Sequence, residues 1–233
     1  MSSSRLDFSQ GPLSHATVGL TRHMLLAMCL IVASSPALIA TVLLGNTLGN
    51  VGWLVLAQIP LAPAFSGGLY VVRNWRASDT LSVWRPFWRG FRMNLGDVLK
   101  WWVPALILGA AAGVNLTVSP ESGASAFLRP LAAAVLVVLF VWSCHALVIS
   151  SFFSFRTRDV ARIAAAEMIL RWRVSLSYLS LAVVCLGVIY VGTEALLLLV
   201  SWAFVSLAEV ISRPVVDHVT VTFTQAPGES EED

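Results

Sequence analysis

Four polar side chains fall inside or beside the long apolar runs of the sequence, where they could do chemistry: Asn115, His145, Glu194 and Glu209. An ionisable group in a membrane-spanning helix is costly, so it is a candidate for proton coupling or ligand binding. A hydrogen bond between two helices explains His145 more simply than either role. Glu209 precedes Arg213 by four residues, which favours an ion pair along one helix over a transport carboxylate. These four residues are the intramembrane polar candidates.

Signatures of catalysis and of metal binding are absent from the sequence. It has no HExxH, GxSxG or Walker-type glycine loop, and no constellation of paired carboxylates. Cys29, Cys144 and Cys185 lie within apolar runs, without a CxxC or Cys/His cluster, and are interpreted as small hydrophobic residues. We therefore predict a protein that is not an enzyme and that has no catalytic residue, cofactor or metal.

A second set of residues combines aromatic rings with guanidinium groups. Trp84, Phe87, Trp88 and Phe91 recur at a spacing that places them on one helical face, and a stripe of arginines lies beside them. This pattern is typical of a helix lying in the membrane interface, with rings in lipid and cations near phosphate. A second amphipathic helix is predicted between Phe155 and Ser175. The predicted partner or lipid interface comprises Arg73, Trp75, Trp84, Arg85, Phe87, Trp88, Arg89, Phe91, Arg92 and Asn94.

Two interpretations of these amphipathic segments stay open. They are either a docking platform for a partner or ordinary interfacial helices that fix the topology and bind anionic lipid. Nucleic-acid binding is not expected, because the basic residues face a membrane and no nucleic-acid motif accompanies them.

Composition identifies the solvent in which these segments must fold. The chain has 233 residues, 57% of them apolar and only 12% charged, whereas a soluble domain has about 25% charged residues. An integral membrane protein is predicted. The first apolar run covers more residues than the 7–15 or so of a signal-peptide core, so we interpret it as a span rather than as a cleaved signal.

The apolar runs predict an all-α, polytopic bundle of six spans that form a single transmembrane domain over 24–213. Four spans are clear from length, since about 20 apolar residues cross a bilayer. The run 176–212 would reach about 55 Å as one helix, far beyond a core of roughly 30 Å, so we divide it near Glu194. The alternative is a single tilted fifth helix. The predicted spans are 24–44, 51–72, 101–119, 130–153, 176–192 and 195–212.

Charge predicts the orientation of this bundle. Six spans place 14 of the 15 Lys and Arg residues on one side, and Arg129 alone on the other. By the positive-inside rule the basic side is cytoplasmic. Both termini are then cytoplasmic: a segment over 1–23 and an acidic tail over 214–233 that is predicted to be disordered.

Three segments carry motifs of a known family. The sequence PAFSGGLYVVRNW at 63–75 resembles the end of the second span in the YesL-like family of bacterial membrane proteins. WRPFWRGFRMN at 84–94 is similar to that family's aromatic segment, through Phe87, Phe91 and Asn94. FFSFR at 152–156 resembles the second cytoplasmic loop, with Ser154 where the family often has proline.

The resemblance implies a multi-pass protein of the bacterial inner membrane that is associated with carbohydrate uptake of the ABC type. Its partners would be the lipid bilayer and ABC sugar permease subunits. We therefore expect an accessory or regulatory component that docks through its cytoplasmic loops. The alternatives are a small-solute transporter or permease subunit, and a membrane sensor or anionic-lipid-binding protein. A permease usually has an EAA-type loop, and 159–173 lacks its central glycine. The oligomeric state stays open.

Overall fold

The computed structural model describes residues 12–45, 47–75, 82–117, 123–191 and 194–223, and every regular element among them is helical. This confirms the predicted all-α class. A single 3-10 turn, Leu48–Asn50, precedes the second helix. The α-helices are α1 Pro12–Leu43, α2 Val51–Ala57, α3 Leu61–Asn74, α4 Trp84–Thr117, α5 Gly123–Phe152, α6 Thr157–Leu170, α7 Trp172–Val191 and α8 Glu194–Phe223.

Among the described residues, four helical segments are long and apolar enough to cross a membrane: Thr17–Leu43, Leu48–Asn74, Trp84–Thr117 and Leu128–Phe152. A fifth is present if α6 and α7, which meet at an angle of 94°, form one bent span. The chain is thus compatible with a membrane protein of four to five spans. Two helices, α7 and α8, cover the run 176–212 that the sequence left ambiguous.

The second predicted span is broken rather than continuous. α2 ends at Ala57, and α3 begins at Leu61 after a turn that contains Pro60. Proline lacks an N–H and cannot continue the ladder of helical hydrogen bonds, and tighter turn bonds such as Ile59 N–H to the Leu56 carbonyl oxygen replace it at the break. The carbonyl oxygen of Gln58 accepts the backbone N–H of Leu61 at 3.1 Å and the indole N–H of Trp102 at 3.2 Å, so the turn is held both by the chain itself and by α4.

The predicted interfacial helix and the predicted third span are one helix. α4 runs without interruption over 34 residues, because the connecting sequence GDVLK contains no helix breaker strong enough to end it. Its exposed face changes character along the helix. Arg85, Arg89, Arg92 and Lys100 are exposed in the first half, and Ile107 and Leu108 are exposed in the second.

The last helix is longer than predicted. α8 continues through Pro214 to Phe223, so the predicted start of a disordered tail at 214 is wrong. The reason is packing: Val215, Val216 and Val219 are buried and extend the apolar face of the helix. At the other end, α1 begins at Pro12, within the predicted N-terminal segment. Residues 1–11 and 224–233 lie outside the described part.

The core lies around α3, which contacts α1, α4, α5 and α8. A run of small residues on α3 lets these helices approach closely. A Cβ built at Gly68 would lie 3.1 Å from Val205 of α8, and one built at Gly67 would lie 3.0 Å from the carbonyl oxygen of Phe87. α3 is therefore the helix against which the beginning of α4 is fixed.

Candidate functional site

Part of the predicted interface of α4 is buried against α3. Phe87 is 0% exposed, and Gly90 and Asn94 are also buried. A Cβ at Gly90 would lie only 2.7 Å from the Cβ of Tyr70 in α3. These residues form a packing surface between two helices, so Phe87 and Asn94 do not belong to a surface that lipid or a partner can reach.

Asn94 organises a polar network at the centre of this packing surface. Its side-chain amide donates to Ser66 Oγ at 2.8 Å and to the carbonyl oxygen of Ser151 at 3.3 Å. Ser151 Oγ lies 2.8 Å from Ser66 Oγ and 2.6 Å from the carbonyl oxygen of Leu147. Each hydroxyl has one proton, so a consistent chain of donors runs from Asn94 through Ser66 and Ser151 to Leu147. It ties α4, α3 and α5 together.

The remaining residues of this predicted interface form an exposed groove at the start of α4, lined by Trp84, Arg85, Trp88, Arg89 and Arg92. We call it the basic groove. Trp84 is 54% exposed and its ring lies 5.6 Å from that of Trp88. The ring of Trp88 lies 5.3 Å from that of half-buried Phe91. The three arginines are exposed, and none of the ion pairs among the described residues includes them.

The structure separates two other predicted interface residues from the basic groove. The Arg73 guanidinium lies 4.4 Å from the ring centre of Phe152, a cation–π contact between α3 and α5. The ring of Trp75 lies 4.9 Å from that of His23, which in turn lies 4.5 Å from Trp202. Both residues join helices and are not brought together with the arginines of α4.

The intramembrane candidates make local contacts. His145 is buried, and its Nε2 lies 3.0 Å from Ser175 Oγ of α7, which is the interhelical hydrogen bond that the sequence favoured. Glu209 forms the expected ion pair with Arg213, at 3.0 Å. Asn115 is exposed and donates to the Ala111 carbonyl oxygen of its own helix. Glu194 begins α8, and its side chain lies outside the described part.

Sequence reasoning missed one partner in a buried charge cluster on α6. Glu167 is 2% exposed, with Oε2 3.3 Å from Arg171 Nε and Oε1 3.5 Å from Nε2 of His218 in α8. Burial raises the pKa of Glu167, and the charges of His218 and Arg171 oppose that rise. Glu167 and Arg171 are four residues apart, a spacing at which opposite charges on a helix pair. His218 was placed in a disordered tail, and so no signal pointed to it.

The cluster fixes one face of α6 and leaves the other exposed. Val160, Ile163 and Ala164 are buried with Glu167. Ile169 is 74% exposed and Leu170 67% exposed, and Arg162 is also exposed. We call the exposed side of 158–170 the outer face of α6.

A cleft of about 770 Å³ opens at the other end of the bundle, between α2, α4 and α5. Its lining is mostly apolar and includes Gly109 and Gly113 of α4, with Gln58 at the break between α2 and α3. In the described ranges, no group of three His, Cys, Asp or Glu residues could hold a metal ion. Comparison with known proteins gives no matching family model, no matching curated protein and no matching solved structure.

Proposed function

We propose that this chain is a non-catalytic accessory protein of a bacterial inner membrane, and that the outer face of α6 docks a partner in the same membrane. The observation that carries the proposal is the two-sided character of α6. One side is anchored by Val160, Ile163, Ala164 and Glu167, and the other exposes Ile169 and Leu170 beside arginines.

Exposed aliphatic side chains next to arginines are a common feature of protein interfaces. Arg158 and Arg162 are one turn apart on this face, and Trp172, which is also exposed, follows the 94° bend into α7. An anchored helix loses little conformational freedom when a partner binds, which favours affinity. The complementary partner surface would be apolar with acidic residues at its margin.

The partner that we propose is a permease subunit of an ABC-type carbohydrate uptake system. The resemblance to YesL-like proteins supports this choice, and the excess of arginine at the α6 end supports a cytoplasmic position for it. Under the same orientation, both termini are cytoplasmic and α7 and α8 are the fifth and sixth spans.

Affinity purification of the full chain in mild detergent, followed by mass spectrometry, tests this proposal. The variant to compare with wild type is Ile169→Ser combined with Leu170→Ser, which removes the apolar part of the outer face. The matched control is Leu48→Ser, an equally exposed position near the other end of the bundle. We expect wild type and control to capture a permease subunit and the double variant to lose it.

Two outcomes would contradict the docking proposal. Wild type purified from cells that express the uptake system could capture no permease subunit. Alternatively, the double variant could capture the subunit as well as wild type does, which would remove the outer face of α6 from the interface.

Transport is the second candidate, since the cleft of about 770 Å³ lies beside a broken span. Broken helices expose backbone groups that can bind a solute. Proteoliposomes containing the pure chain and offered labelled sugars test this function. Uptake would support it, and its absence in the presence of ion gradients would exclude an autonomous carrier for those sugars.

A further inference from the structure

We propose that the basic groove of α4 binds the phosphate of anionic phospholipid headgroups in the leaflet on its own side of the membrane. This site is separate from the outer face of α6, and it goes beyond the docking function. The groove is lined by two tryptophans and three arginines, Trp84, Arg85, Trp88, Arg89 and Arg92.

The arginines are about one helical turn apart, so neighbouring guanidinium groups can contact the same anionic headgroup. Residues 85, 89 and 92 follow one side of a helix and span about 10 Å along its axis. Each guanidinium presents a planar fork of donors that can hold one phosphate through two hydrogen bonds. Cations at this spacing repel one another, and no ion pair among the described residues offsets that repulsion. An anion bound between the arginines would offset this repulsion.

The exposed Trp84 favours a lipid headgroup over a soluble anion. Indole rings concentrate at the boundary between hydrocarbon and water, where the ring contacts lipid and the N–H contacts water. Trp84 is more than half exposed although it is large and apolar. A free phosphate would use the arginines but gain nothing from the Trp84 ring.

The length of α4 is compatible with a position of the basic groove near the headgroup layer. Its 34 residues extend about 51 Å, and a bilayer measures about 40–45 Å with both headgroup layers included. With the exposed apolar half, which includes Ile107 and Leu108, in the hydrocarbon, the basic half projects from one surface of the membrane, and its arginines reach the headgroup layer through their long side chains.

The groove is also held in place before any ligand binds. On the opposite side of the same helical turns, Phe87, Gly90 and Asn94 pack on α3, and Asn94 is hydrogen-bonded. The backbone that carries the arginines cannot shift without breaking that packing. A preformed site loses less free energy on binding than a flexible one.

Lipid preference can be measured with the full chain reconstituted in phosphatidylcholine vesicles. Brominated phosphatidylglycerol, added at rising fractions, quenches tryptophan fluorescence when it is near, and brominated phosphatidylcholine gives the reference. Each arginine near an anionic surface contributes roughly a fivefold effect on binding. We therefore expect Arg85→Gln/Arg89→Gln/Arg92→Gln to abolish the preference for phosphatidylglycerol. The matched control, Arg156→Gln/Arg158→Gln/Arg162→Gln, removes the same charge from the α6 end and should keep the preference.

The outcomes separate the candidate ligands. Displacement of brominated phosphatidylglycerol by millimolar glycerol phosphate would overturn the proposal in favour of a soluble phosphate site. A preference that survives in the α4 triple variant, or that disappears equally in the control, would also overturn it. If the α4 triple variant keeps the lipid preference but no longer captures a permease subunit, the groove is a protein interface and the lipid assignment is wrong. Loss of capture in the α6 variants alone leaves the lipid assignment standing.

Discussion

Replacing Gly90 by alanine tests whether the aromatic segment of α4 is a packing surface. The new Cβ would lie 2.7 Å from Cβ and 2.8 Å from Cγ of Tyr70. Carbon atoms do not approach so closely, and both contacts lie near the backbone of α3, where a side-chain rotation gives no relief. The two helices must therefore separate by several tenths of an ångström.

The expected cost follows from two opposing effects. Overfilling a packed interface costs about 1–3 kcal/mol, and replacing glycine in a helix returns up to about 1 kcal/mol. Subtracting about 1 kcal/mol from about 1–3 kcal/mol leaves a net loss of up to about 2 kcal/mol. For a chain of this size, that corresponds to a fall in Tm of up to roughly 8 °C.

Gly96 of the same helix provides a matched control, because a Cβ built there meets nothing within 4 Å. Gly96→Ala should leave Tm unchanged or raise it slightly through helix propensity alone. The assay is the loss of monodisperse protein on heating in detergent, followed by size-exclusion chromatography. If Gly90→Ala is as stable as Gly96→Ala, then α3 and α4 do not meet at Tyr70. Phe87 and Asn94 would then not be buried between these two helices.

Two further predictions concern buried polar groups. Asn94→Ala removes two hydrogen bonds and should lower the free energy of unfolding by about 1–2 kcal/mol. Its control, Asn115→Ala, changes an exposed position and should leave Tm nearly unchanged. Equal losses in the two variants would contradict the network around Asn94. Burial raises the pKa of Glu167 in the folded state, so the folded protein binds this proton more tightly than the unfolded chain does. The contribution of Glu167 to stability is therefore lost as pH rises through its folded-state pKa. Tm of wild type relative to Glu167→Gln should therefore decrease from pH 5 to pH 7.5, and an increase over that range would show that its partners outweigh burial.

The sequence predicted where the apolar helices lie better than it predicted what each helix packs against. Length and hydropathy predicted the four apolar spans, because crossing a bilayer imposes both. The periodicity of Trp84, Phe87 and Phe91 predicted a single aromatic face, but the structure buries Phe87 against α3 and leaves Trp84 54% exposed. The periodicity could not distinguish lipid from protein as the medium that covers that face, since both favour the same apolar residues.

The signals that would have corrected that prediction were small and polar residues. Gly67 and Gly90 allow α3 and α4 to approach, and Ser66 can accept a hydrogen bond from Asn94. Glycine and small polar residues on neighbouring helices are typical of helix packing in membranes. The pairing of Glu167 with His218 joins positions that are far apart in sequence, so no local pattern could predict it.

The most direct test of the account is the sidedness of the two ends of the bundle. Cys29, Cys144 and Cys185 are first replaced by alanine, and single variants Gly49→Cys and Arg162→Cys are then treated with a membrane-impermeant maleimide in intact spheroplasts. We predict that Gly49→Cys reacts at once and that Arg162→Cys reacts only after the membrane is opened. Immediate reaction of Arg162→Cys with protection of Gly49→Cys would reverse the orientation, and the basic groove and the outer face of α6 would then lie outside the cell.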